Sequence, residues 1–212
     1  MDAGSGTVAL LAVMIGTTTF DGFSQGSVWT GLAPDLQDAF AGLGLGPEAA
    51  LQAGFTVGLL AVVLFVAGLY RLGIQGMATV GENHKAGELA RTFAHTLIPI
   101  AAAYVVAHYV SLLIFQGQAM AYLLSDPLGT GANLLGTADD TVDYTVVSPD
   151  GIWYIQVAAL VLGHVAALML AHDRALALYR SPRRATRSQY WMLAVMVGFT
   201  SLGLWLLSAA AA

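Results

Sequence analysis

The chain has 212 residues, 57% of them hydrophobic and only 10% charged, with a formal net charge of −5 and no cysteine. A soluble domain carries about a quarter of its residues as charges, so this composition points away from a water-facing globular fold. The absence of thiols removes disulfides, thiolate-bound metals and Cys-ligated iron–sulfur clusters together.

Crossing ~30 Å of hydrocarbon takes ~20 mostly apolar residues. On that measure the expected fold is all-α: a single integral membrane domain over residues 1–212, with five spanning helices and a structured outer loop. The first span, at residues 6–23, is interrupted by Thr17, Thr18, Thr19 and Asp21. The residues ahead of it lack the basic region of a cleavable signal, so it is expected to be a retained helix. The connection 24–46 carries Asp35 and Asp38 but no base. The second span, 48–71, opens at Pro47-Glu48, where the missing amide costs nothing and the acid meets the positive end of the helix dipole. Its Gly54 and Gly58, four apart, permit close helix contact.

The third span, 91–116, carries His95, His108, Tyr109, Ser111 and Gln116. The loop 117–151 then holds Asp126, Asp139, Asp140, Asp143 and Asp150, again without a base. Its Leu134, Leu135, Val142 and Tyr144 are too apolar for a floppy linker, so it is expected to fold back over the outer mouth of the bundle. Asp139, Asp140 and Asp143 lack the spacing of a calcium loop and read as a solvated turn. The fourth span, 152–173, repeats Gln156, Leu160, Gly163, His164, Ala167 and Ala171 at helical spacing, one narrow face of small and polar groups. His172 and Asp173, followed by Arg174, read as a solvated helix end. The fifth span, 189–207, has no ionisable residue and reads as largely lipid-facing.

All eight Lys and Arg residues fall in two stretches: Arg71, Lys85 and Arg91, then Arg174, Arg180, Arg183, Arg184 and Arg187. Loops that retain positive charge face the cytoplasm. The expected placement is therefore a membrane, with the amino terminus cytoplasmic and the carboxyl terminus outside. Arg180 to Arg187 would anchor the topology and touch anionic headgroups. Loops this short make nucleic acid an improbable partner. The expected partner is the lipid bilayer, with a homo-oligomer or other membrane subunits also open.

Ionisable groups at bilayer depth are costly and tend to mark sites. At ~1.5 Å per residue, Asp21, His108 and Gln156 fall in the outer third, His164 near the middle, and His95 and His172 near the cytoplasmic boundary. Asp21, His108 and His164 are the candidate catalytic or ligand-binding set, with Tyr109, Gln116, Gln156, His172 and Asp173 as supporting groups. Three readings are open. One is an interhelical hydrogen-bond network. Another is a metal centre for zinc, copper or iron, for which two imidazoles and a carboxylate are a usual ligand set. The third is a single haem b between two imidazoles. A dihaem arrangement is disfavoured, because His95 and His108 point about 140° apart around their helix.

Ala107-His108-Tyr109, Asp126-Pro127-Leu128-Gly129 through Gly136-Thr137-Ala138-Asp139 to Asp143-Tyr144, and Gly163-His164-Val165-Ala166 leading to Ala171-His172-Asp173-Arg174 form a further pattern. With Thr19-Phe20-Asp21-Gly22, it resembles a family of multi-pass membrane proteins, common in actinobacteria, that carries the label "fenitrothion hydrolase". The resemblance covers most of the chain. It implies hydrolysis of an organophosphate triester, with a metal held by His108 and His164 and with Asp21 as ligand or base. His95 lies outside the family pattern. Family members are often longer, so the resemblance implies either a shortened member or one subunit of an assembly. A single-haem redox subunit and a small-molecule transporter are the alternative expectations.

Overall fold

The computed structural model describes residues 3–4, 6–80 and 84–210, without the side chains of residues 206, 207, 209 and 210. Among the described residues every regular element is helical. The helices are α1 (Thr7–Ser24), α2 (Ser27–Gly42), α3 (Pro47–Ala78), α4 (Ala86–Phe93), α5 (Leu97–Phe115), α6 (Ala119–Ser125), α7 (Pro149–Leu178) and α8 (Pro182–Ala210). Short 3-10 turns at Ala94–Thr96 and Gln116–Gln118 join α4, α5 and α6 into one run of 40 residues.

The long helices start where their sequences permit it. Pro47 opens α3 and Pro149 opens α7, each with an acid in the first turn. Ser148 caps α7 by accepting a hydrogen bond from the Gly151 amide at 3.1 Å. The threonines that interrupt α1 do so cheaply: Thr17, Thr18 and Thr19 each donate to a carbonyl one turn earlier, at 2.7 to 3.0 Å.

Four runs are long and apolar enough to cross a membrane: Thr7–Ser24, Pro47–Ala78, Ala86–Ser125 and Pro149–Leu178. Their outward faces suit hydrocarbon better than water. Leu64 is 70% exposed, Leu113 68% and Leu162 66%, an inverted pattern for a soluble protein. The fifth expected span falls on α8, which lies outside these four and carries Arg183, Arg184 and Arg187 in its first turns. The expectation that it would be largely lipid-facing holds for only part of its surface. Met192, Met196, Phe199 and Gly203 recur at three- and four-residue intervals and are buried against the bundle.

Two further expectations are corrected. The connection 24–46 is largely the helix α2, which lies along the start of α3. The chain also stays helical past Gln116 as far as Ser125. Trp29 explains α2. Its indole is 2% exposed, set edge-on to Phe20 and Phe55 at 5.0 and 5.2 Å, and it covers Gly58. Such aromatic pairs contribute about 0.5–1.5 kcal/mol each beyond their area, enough to order a helix whose own sequence does not announce it.

Where lipid removes the hydrophobic drive between helices, small residues decide which surfaces meet. A Cβ on Gly16 would stand 2.7 Å from Val63 Cα, so α1 lies directly on α3. A Cβ on Gly163 would collide with Ala103 and reach 2.8 Å from the Pro99 carbonyl oxygen, so α7 lies directly on α5. Gly76 receives the Trp191 ring and brings α8 onto α3. The α3, α4 and α7 ends that share a face of the bundle are tied by Tyr70 Oη donating to Ala90 O at 2.7 Å and Tyr179 Oη donating to Met77 O at 3.3 Å.

Candidate functional site

At the other end of the bundle, the last turns of α1 bring Asp21 over α5. His108 Nε2 and Asp21 Oδ2 lie 2.6 Å apart, with the histidine side chain 27% and the aspartate 57% exposed. One level inward on α7, Gln156 Nε2 donates to the Ala107 carbonyl at 2.8 Å. Gln156 therefore meets α5 at the residue preceding His108. Asp21, His108 and Gln156, which depth alone placed at a similar level, are brought together.

His108 and Gln156 line a cleft of about 210 Å³, and Asp21 adjoins it through His108. Thr18, Thr19, Gly22 and Phe23 form its α1 wall, Tyr104 and Ala107 its α5 wall, and Gly203 of α8 its far side. The Thr19 hydroxyl is spent on Ile15 O at 2.7 Å, which leaves His108 as the prominent acid–base group of the cleft. Tyr109 sits beside it, ring edge to face at 4.6 Å. When the ring is neutral, Nε2–H donates to the Asp21 carboxylate and Nδ1 carries the lone pair.

His164 is not part of this pair. It lies eight residues beyond Gln156 on α7, about 12 Å along the axis. It is only 6% exposed and bonds its own helix through Nδ1 to Leu160 O at 2.7 Å. The three-ligand set of Asp21, His108 and His164 is accordingly divided between two levels. Among the described residues no three His, Asp or Glu side chains converge on a point that a metal could occupy. Gly163 brings α5 and α7 into backbone contact at the level of His164.

The remaining supporting groups lie elsewhere. Gln116 donates to Tyr144 Oη at 3.4 Å and is part of the loop anchorage. His172 and Asp173 are exposed at the far end of α7. His95 turns back onto the last turn of α4, Nδ1 to Thr92 O at 3.1 Å.

The loop after α6 is built, as the sequence suggests, but none of its residues lines the cleft. Gln118 grips Asp143 both ways, Nε2 to the carbonyl at 3.0 Å and Oε1 from the amide at 2.9 Å. The Asp126 carboxylate accepts from the Gly131 and Thr130 amides at 2.7 and 2.9 Å, and these bonds hold its pKa below the ordinary aspartate value. Asp143 is lowered likewise, mainly by the Thr145 hydroxyl at 2.6 Å and then by the Thr145 amide. The loop packs on α6, where Thr137 Oγ1 donates to Ala121 O at 2.7 Å, and on the end of α5, where Phe115 meets Tyr144 at 5.4 Å.

The sequence reading missed Tyr104, which lines the cleft and also stands edge-on to His164 at 6.3 Å. It lies four residues before His108, on the same helix face, and that spacing was the available signal. Compared with known proteins, the chain matches no family model, no curated protein and no solved structure.

Proposed function

We propose that this chain is a plasma-membrane protein spanning the bilayer with α1, α3, the α4–α6 run, α7 and α8, its basic loops cytoplasmic and the Asp21–His108 cleft on the outer side. The cleft binds a small polar ligand, and His108 acts there as a general base oriented by Asp21. The reaction that best suits such a group is hydrolysis of a compact ester. The resemblance to the "fenitrothion hydrolase" family narrows this to an organophosphate triester.

The observation that carries the reading is the 2.6 Å contact between Asp21 and His108 at the edge of the cleft. Aspartate fixes the tautomer, and Nδ1 takes a proton from a water molecule as that water attacks the electrophilic centre. The reading routes the reaction through proton transfer at His108.

The test is release of nitrophenolate from a nitrophenyl triester by the purified protein in lipid nanodiscs. General bases contribute about 10²–10⁴-fold. A loss of that size is expected in His108→Ala, with a smaller one in Asp21→Asn. Absence of turnover in the wild-type protein, or wild-type rates in His108→Ala, would end the hydrolytic reading. An ultraviolet–visible spectrum and elemental analysis of the same sample decide between the alternatives: a Soret band would indicate a redox subunit, and metal lost in His108→Ala a metal centre at the cleft.

A further inference from the structure

A second cavity, of about 40 Å³, lies inside the bundle at the level of His164. Its walls come from α1, α3, α5, α7 and α8, and they are apolar apart from a few groups. Tyr70 and Thr96 reach it, but each already donates its hydroxyl proton to a backbone carbonyl, Ala90 O and Phe93 O. His164 also lines it. With the Nδ1 proton given to Leu160 O, Nε2 of this buried ring carries a lone pair, and no hydrogen-bond donor meets it. Buried acceptors are seldom left without a partner.

Two other electron-pair donors share the chamber. Met192 and Met196, one turn apart on α8, are 4% and 7% exposed and both line the same cavity. One imidazole nitrogen and two thioether sulfurs, with no carboxylate, form a soft donor set. Such sets select Cu(I) over zinc, iron and the hard cations. Charge argues in the same direction: an apolar chamber penalises a divalent ion lacking anionic ligands far more than a monovalent one. The chamber has room for one small ion, since about 10–15 Å³ already suffices for a water molecule. Phe199 of α8 meets the His164 ring at 6.1 Å, Met196 lies one turn before it, and the Met192 sulfur stands against Gly73. Each unbranched methionine chain has three rotatable bonds with which to adjust to a guest.

We propose that His164, Met192 and Met196 form a buried site for a soft monovalent metal ion, Cu(I). The site is separate from the Asp21–His108 cleft and does not depend on the function proposed for it.

The experiment is Cu(I) retention by the full chain in mild detergent, under ascorbate, against a chromophoric Cu(I) chelator, with Ag(I) as a redox-inert second probe. Stoichiometric retention is expected in the wild-type protein. Both His164→Leu and the double variant Met192→Leu/Met196→Leu should weaken it by at least about tenfold, the lower end of what disturbing a metal's ligand shell costs. Asp21→Asn and His108→Ala should bind as the wild type does. The methionine variant conserves volume and guards against a folding artefact, and each protein is accepted only if it elutes as the wild type does. X-ray absorption at the copper edge should show sulfur neighbours. No retention by the wild-type protein, as expected if the cavity holds only water, overturns the proposal. So does full retention by the methionine double variant, or loss on changing Asp21.

Discussion

The cleft at His108 and the chamber at His164 share walls from α1, α5, α7 and α8 and use the same side chain in opposite ways. At the cleft, the imidazole reaches across to α1, pairs with a carboxylate and stays partly exposed. In the chamber, it bonds its own helix, is sealed among apolar side chains and keeps one nitrogen without a donor. What separates them is about 12 Å of helix and the contact of Gly163 with Ala103, which closes the space between α5 and α7. An imidazole near the end of a bundle can therefore find a charged partner, whereas one in the middle must be satisfied by its own backbone or by a guest.

The strongest way to break this contrast is to force the two helices apart. Gly163→Val places side-chain atoms against Ala103 and the Pro99 carbonyl, and overpacking of this kind costs about 1–3 kcal/mol. A clear fall in thermal midpoint in detergent is expected, whereas Gly198→Ala, with nothing within 4 Å of its added carbon, should leave the midpoint unchanged or raise it. Equal stability of Gly163→Val and wild type would show that this contact does not hold the two levels apart.

A smaller effect sharpens the comparison along α7. Gln156→Leu removes the bond to Ala107 O and should cost about 0.5–1.5 kcal/mol. His164→Leu, which removes a buried acceptor without a donor, should be nearly neutral in metal-free protein. Denaturation in mixed micelles measures both, and the reverse ordering would contradict the assignment of partners.

The smallest effect concerns the outer loop. The folded-state pKa of Asp126 lies below its unfolded value because backbone amides donate to the carboxylate. Its stabilising contribution is thus complete above the unfolded value and is lost as pH falls through the folded one, below about pH 4. Hydrogen exchange of residues 126–136 should be steady from neutral pH down to that window after correction for intrinsic rates. Protection should then fall, and Asp126→Asn should remove most of the pH dependence. Unchanged protection in the acid range would mean that the carboxylate does not order the loop.

Much of this was legible in the chain because period and depth are properties of a helix. The face of α7 holding Leu160, His164, Ala167 and Ala171 is the buried one, and Asp21, His108 and Gln156 meet as their depths suggested. What escaped depends on tertiary contacts. α2 reads as a connection in the sequence, where Asp35 and Asp38 break its apolar run, and what orders it is contact with α3, Trp29 over Gly58 and Leu36 against Gly54. Met192 and Met196 passed as lipid-facing, since periodicity cannot tell which side of an apolar helix a neighbour will cover. His164 was grouped with the cleft because residue type alone does not reveal that a ring bonds its own helix.

The glycine contacts also divide the bundle mechanically. α1 rides on α3 through Gly16, and α7 on α5 through Gly163, so each pair is expected to shift as one stiff unit. The Asp21–His108 contact crosses the seam between those units at the end that holds the cleft, while the bonds of Tyr70 to Ala90 O and of Tyr179 to Met77 O cross it at the other end. Neutralising Asp21 would then do more than alter a base: with the other end still tied, the halves would hinge there, and the width of the cleft would follow the charge on one carboxylate.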